Sequence, residues 1–569
     1  MPRFPDIWLS QVKLRTRRTL LNTNCLSASF EIMASMDPTQ NPCQDFYQFT
    51  CGKFMNDAYK NNKPSPYLTQ ILRNVDRLNA IISEEIRGDE NDALLLQKRF
   101  YQACMNVTDI DDDANMQIKD LLEQIGGWPI LKGQNWPETE ITLMDLLLKC
   151  KNLGLPFQWL FEIKYFVGDL YVLNPKITKQ YNESFKESAY QSLMVETAVN
   201  LGASRLRAFH EMQAVLDFEK QLEELVSKAN KLFATNTNMD KLHNIFPKFS
   251  WSHFINNLTE DVNITMMEND TIIASEAYLL DLNLLLAATQ KRVQINYVVW
   301  KIIQEFSVHM ASPVRENFAN FTNFMLPEKD QTNSRFKICI KDARARFPHV
   351  AELEFAALYS DEEKSRNVKE IIRNVKNQFI SRLEAAYWID EETKKLAVNK
   401  VEHIVEIVGY HKLDFDQEIL EKFIGTTDLE FTSDNIIDMV REKNIYDFRQ
   451  KFLVDDLPVL LDELSSVIFK QVFGISAAYS EHTNVIVFTA GTLQDTLYSE
   501  DRPKYLNYGA LGSIIGHEIA HGFTKNAFAH DSEEEQLIIK GWFNESLHEI
   551  SKLTFLNTTE LWTNDLSGK

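Results

Sequence analysis

Near its C-terminal end the chain carries the run Asn507-Tyr-Gly-Ala-Leu-Gly-Ser-Ile-Ile-Gly-His517-Glu518-Ile-Ala-His521-Gly-Phe523, which contains His-Glu-x-x-His. In a helix, residues four apart stand one turn apart on one face. His517 and His521 can then grip one Zn²⁺, and Glu518 can reach a water on the open side of the metal. Zinc would lower the pKa of that water, and the carboxylate would take its proton, giving a nucleophile for a peptide carbonyl. The flanks call for the helix that this chemistry needs. Leu511, Ile514, Ile515 and Ile519 are apolar at helical spacing, which buries the opposite face. With 12 His in 569 residues, a chance match is on the order of a few per cent.

The elements around this run must come from a chain of 569 residues, too long for one core, so two or more lobes are expected. Its 44% hydrophobic and 25% charged residues are ordinary globular composition. A formal net charge of −21 disfavours nucleic acid and anionic membrane surfaces as partners. The six cysteines, Cys25, Cys43, Cys51, Cys104, Cys150 and Cys339, form no Cys-x-x-Cys, which argues against a Cys-rich zinc site or a redox motif. Asn-x-Ser/Thr occurs at Asn106, Asn182, Asn257, Asn263, Asn269, Asn320, Asn544 and Asn557. That number of glycosylation acceptors suits an extracellular protein. Met1 to Leu20 is basic and mixed, without the apolar core of a signal peptide, and no run of 18 apolar residues is long enough to span a membrane.

Taken in order, residues 1–35 read as a poorly structured leader. The aromatic stretch after Pro42 reads as a short helix stopped near Gly52. Helical spacing recurs from Tyr67 to Cys104, from Ala208 to Ala229, from Thr271 to Phe306 and from Val368 to Leu383. Phe161 to Val167 reads as a strand or two. Ser360-Asp-Glu-Glu363 reads as a capping box, and a helix opening at Trp388 is expected to end at Gly409-Tyr410. The charged region from Leu413 to Asp456 is the expected boundary between lobes. Asn484 to Phe488 is a β-branched and aromatic strand. It is either an edge to which an extended peptide can add or an ordinary core strand.

Several separated motifs resemble the neprilysin and endothelin-converting-enzyme family of zinc metallopeptidases. They are Met36-Asp-Pro-Thr-Gln-Asn-Pro-Cys43-Gln-Asp-Phe-Tyr-Gln-Phe-Thr-Cys51-Gly, Tyr101-Gln-Ala-Cys104-Met-Asn, Arg335-Phe-Lys-Ile-Cys339, Trp388-Ile-Asp with Thr393-Lys-Lys, Asn484-Val-Ile-Val-Phe, and the His517 run itself. They occur in the family's order, so the resemblance covers residues 36–569. It implies a mainly α-helical, two-lobed ectodomain with a zincin-type zinc helix and a small edge-strand sheet. Residues 36–435 would form the N-terminal helical region and 436–569 the catalytic-type region. It also implies one zinc ion on His517 and His521, Glu518 as base and later proton donor, and short peptides as substrates. The location implied is extracellular, secreted or at the cell surface. Cys104 and Cys339 resemble a disulfide-bonded pair. Cys43, Cys51 and Cys25 resemble cysteines whose partners have no counterpart here, and Cys150 reads as a small buried residue.

The departures from the family pattern carry expectations of their own. The family's third zinc ligand is a Glu in Glu-Asn-x-x-Asp, and no such segment follows His521. Glu545, Glu549 and Glu560 lie downstream, none of them in Glu-x-x-x-Asp. The family's substrate-holding Asn-Ala pair stands here as Ser476-Ala477, and the acidic residue expected after His-Gly-Phe is replaced by Thr524-Lys525. Ser476, Ala477 and Asn484 are the expected substrate-binding positions. Two readings follow: a zinc metalloendopeptidase, or an inactive relative that binds peptides or a protein partner. With two ligands in place of three, residues 1–569 alone are expected to bind zinc weakly and cut little.

Overall fold

The computed structural model describes residues 23–61, 66–88, 90–138, 141–166, 169–176, 184–230, 234–247, 249–262, 264–267, 270–326, 334–409, 428–453, 477–480 and 484–523. It is mainly α-helical with two small sheets.

Helix α1 (Thr23–Ser35) stands where a poorly structured leader is expected, and it packs against α2 (Phe46–Asn61). Helix α2 does not stop at Gly52. The helix runs through that residue, and a Cβ there would lie 3.0 Å from Cβ of Asp37. The glycine answers a close approach rather than a helix end. Helices α3 (Pro66–Ser83) and α4 (Asp92–Met105) fill the helical region expected up to Cys104. Strands β1 (Glu162–Phe166) and β2 (Asp169–Leu173) pair antiparallel. After α5 (Ser184–Asn200) and α6 (Arg205–Ala229), β3 (Thr235–Thr237) and β4 (Ile272–Ala274) complete a sheet of order β1-β2-β4-β3. The stretch read as helix from Thr271 therefore opens with a strand before α7 (Glu276–Ala288) and α8 (Lys291–Phe306).

Helix α9 (Arg335–Arg346) and a helix at Val350–Tyr359 precede α10 (Glu362–Ala385), whose cap is Asp361 rather than Ser360: the carboxylate accepts the Lys364 N–H at 2.8 Å. Asp390 caps α11 (Glu391–Glu402) in the same way. That helix ends at His403, short of the expected Gly409, because the β-branched run that follows forms β5 (Val405–Val408). Gly409 closes the strand at φ +63°, and a Cβ there would meet the Ser360 hydroxyl at 1.9 Å. Helix α12 (Ile436–Leu453) lies in the stretch expected as a boundary. Strands β6 (Ala477–Ser480) and β7 (Val485–Phe488) precede the long helix α13 (Lys504–His521).

The second sheet has the order β5-β7-β6, with β5 parallel and β6 antiparallel to β7. The strand at Val485–Phe488 is thus its centre, buried and paired on both sides, so the core-strand reading holds and the edge reading does not. Among the described residues the edges are β5 and β6. Helix α10 closes the outer side of β5: Lys376 Nζ donates to the Ile404 carbonyl at 3.0 Å and Ser365 Oγ to the Val408 carbonyl at 3.1 Å. Val368 and Ile372 of α10 join Ile486 and Phe488 of β7 and Leu511, Ile515 and Ile519 of α13 in one core, all fully buried.

The chain sorts into two compact units that interleave along it, where the sequence reading divides it linearly near residue 435. One comprises Met1–Ile81, Ala351–Gln417 and Pro458–Lys569; the other comprises Ile82–Val350 and Glu418–Leu457. In the second unit Cys104 of α4 and Cys339 of α9 form a disulfide, as the resemblance implies. Arg335 Nε beside it donates to the Cys104 carbonyl at 2.9 Å. Among the described residues no helix is long and apolar enough to cross a membrane.

Candidate metal centre

Helix α13 forms despite three glycines, Gly509, Gly512 and Gly516, which favour the unfolded chain. Burial outweighs that cost. Leu511, Ile515 and Ile519 recur every four residues, reach zero exposure against β7, and so fix the rotation of the helix. Its first turn is held as well. Buried Asn507 donates to the Ser499 carbonyl at 2.9 Å and accepts from the Ser499 N–H at 3.2 Å and from Arg502 Nε at 2.5 Å. With those positions fixed, His517 and His521 turn away from Leu511 and Ile515, while Glu518, seven residues after Leu511, lies on the buried side of the helix.

His517 and His521 come together as their spacing predicts. Their Nε2 atoms lie 3.0 Å apart, with ring planes 88° to one another. One ligand atom from each of His517, Glu518 and His521 falls within 4.8 Å of the others. Two imidazole nitrogens on one tetrahedral zinc, at about 2.0–2.1 Å each, would stand about 3.3 Å apart. The observed pair fits a zinc ion with little movement. His517 is exposed and Glu518 is buried.

Burial raises the proton affinity of Glu518, pushing its pKa up to about 7, against the opposing effect of a hydrogen bond that its carboxylate accepts from the Tyr479 main-chain N–H. That donor belongs to β6, the edge strand. Residues of an antiparallel pair alternate between bonding the neighbour and pointing away. Tyr479, opposite Ile486, turns its N–H outward to Glu518, and Ala477, two residues before it, shares that outward direction. The outer edge of β6, which pairs with no other strand among the described residues, therefore runs beside the carboxylate, and Ala477 stands on it.

Asn484, expected to hold substrate, is engaged inside the fold. Its Oδ1 accepts from the Tyr479 phenol at 2.9 Å, its Nδ2 donates to the Lys400 carbonyl at 3.1 Å, and its φ is +53°. Ser476, Thr524, Lys525, Glu545, Glu549 and Glu560 lie outside the described residues, as do Asn182, Asn263, Asn269, Asn544 and Asn557. Of the other glycosylation acceptors, Asn106 and Asn320 are exposed and Asn257 is half-buried. The residue that sequence reasoning missed is Tyr479, which touches Glu518, Gly522 and Asn484. No spacing rule marks it.

The chain matches the family described as Peptidase family M13 twice, with the N-terminal model over residues 42–411 and the peptidase model over 476–559. It is 26% identical to Neprilysin-2 of Drosophila melanogaster over 576 residues, covering 94% of this chain and 72% of that protein. It is 24% identical to Endothelin-converting enzyme 1 of Homo sapiens, covering 95% of this chain and 71% of that protein. Among solved structures, the fold is similar to that of the open state of the Mycobacterium tuberculosis zinc metalloprotease Zmp1. The TM-score is 0.67 at 14% identity, over 90% of this chain and 80% of that one. It is also similar to PepO from Lactobacillus rhamnosis, with a TM-score of 0.58 at 15% identity, over 85% and 79%.

Proposed function

The chain belongs to peptidase family M13, and from that premise we propose that it is a zinc metalloendopeptidase that hydrolyses short peptides outside the cell. The observation that carries this reading is the convergence of the His517 and His521 Nε2 atoms, 3.0 Å apart, next to a buried carboxylate beside the outer edge of β6. His517 and His521 would hold the ion, which when bound acidifies a water and polarises a carbonyl. Glu518 is the base. It would take a proton from that water and return it to the leaving amine. The edge at Ala477 aligns the peptide main chain, and Ser476 lies next to it in sequence. The extracellular location rests on the glycosylation acceptors and on the Cys104–Cys339 disulfide, a bond of oxidising compartments.

A second reading has a specific observation behind it. Among the described residues the group that could hold a metal is His517, Glu518 and His521, and a catalytic zinc takes three protein ligands beside its base. On that reading these residues bind peptides without cutting them. Zinc titration calorimetry on residues 1–569, beside a quenched-peptide assay, separates the two. Sub-micromolar zinc binding, with hydrolysis lost and zinc retained in Glu518→Gln, supports the peptidase. Zinc binding weaker than micromolar, with peptide bound intact, supports the second reading and rejects the first.

A further inference from the structure

We propose that Tyr479 is a positioning residue of the metal centre: it ties the end of the metal-binding helix and the Glu518 carboxylate to the edge strand, so that base, His521 and edge hold one spacing. The inference rests on the reading of His517, Glu518 and His521 as that centre, and it concerns a residue with no ligand role.

Three contacts meet at Tyr479. Its main-chain N–H is given to Glu518. Its ring lies over Gly522, the residue after His521: a Cβ at position 522 would stand 3.1 Å from the phenol oxygen and 3.2 Å from Cζ. Its hydroxyl donates to Asn484 Oδ1 at 2.9 Å. The third contact makes the other two firm, because Asn484 is itself fixed. It sits at φ +53°, donates to the Lys400 carbonyl, and accepts the Val405 N–H at 3.1 Å on its own carbonyl. The phenol is thus pinned to the turn that begins the central strand.

The pairing register shows why one residue can do this. Tyr479 stands opposite Ile486 and Ala477 opposite Phe488, and directly opposite residues share a sheet face. Ile486 and Phe488 pack on α13. The Tyr479 side chain is therefore on the α13 face, while its N–H points out of the strand's outer edge. Side chain and main chain reach the same helix from two directions, and glycine at 522 leaves the ring its place. Removing the hydroxyl alone frees the ring from Asn484 without opening a cavity.

The test starts from metal-free protein and amide hydrogen exchange. In Tyr479→Phe the amide of residue 479 and those of the last turn of α13 are expected to exchange about five- to tenfold faster, the change for one lost neutral hydrogen bond. Asn484→Gly, which keeps the positive φ, should reproduce this, and the double variant should add nothing. Leu511→Ala, a packing control, should speed exchange throughout its unit instead. Wild-type exchange at 479 and 519–522 in Tyr479→Phe overturns the proposal. A second arm uses Co²⁺ as probe. Tyr479→Phe is expected to weaken Co²⁺ binding several-fold and shift its visible bands, while Leu511→Ala leaves the bands in place; unchanged bands and affinity in Tyr479→Phe also overturn it. Failure of the wild-type chain to bind Co²⁺ at all would reject the metal centre itself, and exchange would still decide what Tyr479 holds.

Discussion

His309 Nε2 lies 2.8 Å from Asp342 Oδ2, and the imidazole is completely buried. Burial lowers the pKa of His309, opposed by its bond to Asp342, and we take the ring as neutral at pH 7 with Nε2–H donating. Asp342 is raised by burial but lowered overall by the His309 bond and by Arg346, whose Nε stands 3.3 Å from it. A histidine depressed in the folded state leaves the unfolded chain binding more protons below pH 6.5, so its stabilisation is full above 6.5 and is lost as pH falls beneath it. The depressed Asp342 acts in the same direction at lower pH, below its ordinary 3.8. Urea midpoints measured across pH 4–8 should therefore fall on the acid side, starting at about pH 6.5. His309→Gln should flatten the upper part of that fall; an unchanged slope would refute the assignment.

The ion pair between Lys301 of α8 and Glu219 of α6 is nearly sealed from water, with side chains 8% and 3% exposed. Tyr190 of α5 donates to Glu219 Oε2 at 3.1 Å and accepts from Trp300 Nε1 at 2.8 Å. Glu219→Ala leaves a buried ammonium uncompensated and should cost about 3–5 kcal/mol, whereas Glu219→Leu with Lys301→Met should cost clearly less. Denaturant titration of the two variants compares them directly.

The Cys104–Cys339 bond closes a loop across a sequence separation of 235. Replacing both cysteines by alanine should lower stability by about 2–5 kcal/mol, chiefly by freeing the unfolded chain. Non-reducing peptide mapping of secreted protein should recover the link, and two free thiols would contradict it.

Thiol labelling should separate the remaining described cysteines by access. Cys43 is exposed, Cys51 is half-buried, and Cys150 is buried with its thiol pushed up to about 12. Iodoacetamide should modify Cys43 first, Cys51 more slowly, and Cys150 only on unfolding. Equal rates at Cys43 and Cys150 would contradict this order.

What the sequence reveals of the metal centre is what local spacing controls. Helical period brings His517 and His521 to one face, and the apolar stripe of Leu511, Ile515 and Ile519 buries the other. The Val485–Phe488 strand is legible for the same reason. Its place in the sheet is not, because that depends on Val405 pairing with Val485, eighty residues on. The role of Asn484 is equally hidden: its amide could meet a peptide as well as Lys400 and Tyr479, and only tertiary contact decides. Gly52 and Gly409 carry the same lesson. Both look like helix stops, yet one sits inside a helix beside Asp37 and the other ends a strand against Ser360.

The interleaving of the two units bears on how the polypeptide is made. Residues up to Ile81 leave the ribosome first, but they share a unit with Ala351–Gln417 and with Pro458 onward. Helices α1 to α3 must wait through roughly 270 residues of synthesis, tens of seconds at about 5–20 residues per second, before α10 and β5 emerge, and longer before α13. The apolar surfaces of Phe30, Met33 and Phe46, still exposed in the finished structure, are then the first that a chaperone can meet. Residues 82–350 can meanwhile bring Cys104 and Cys339 together, so the disulfide can close before the metal-binding helix has been translated.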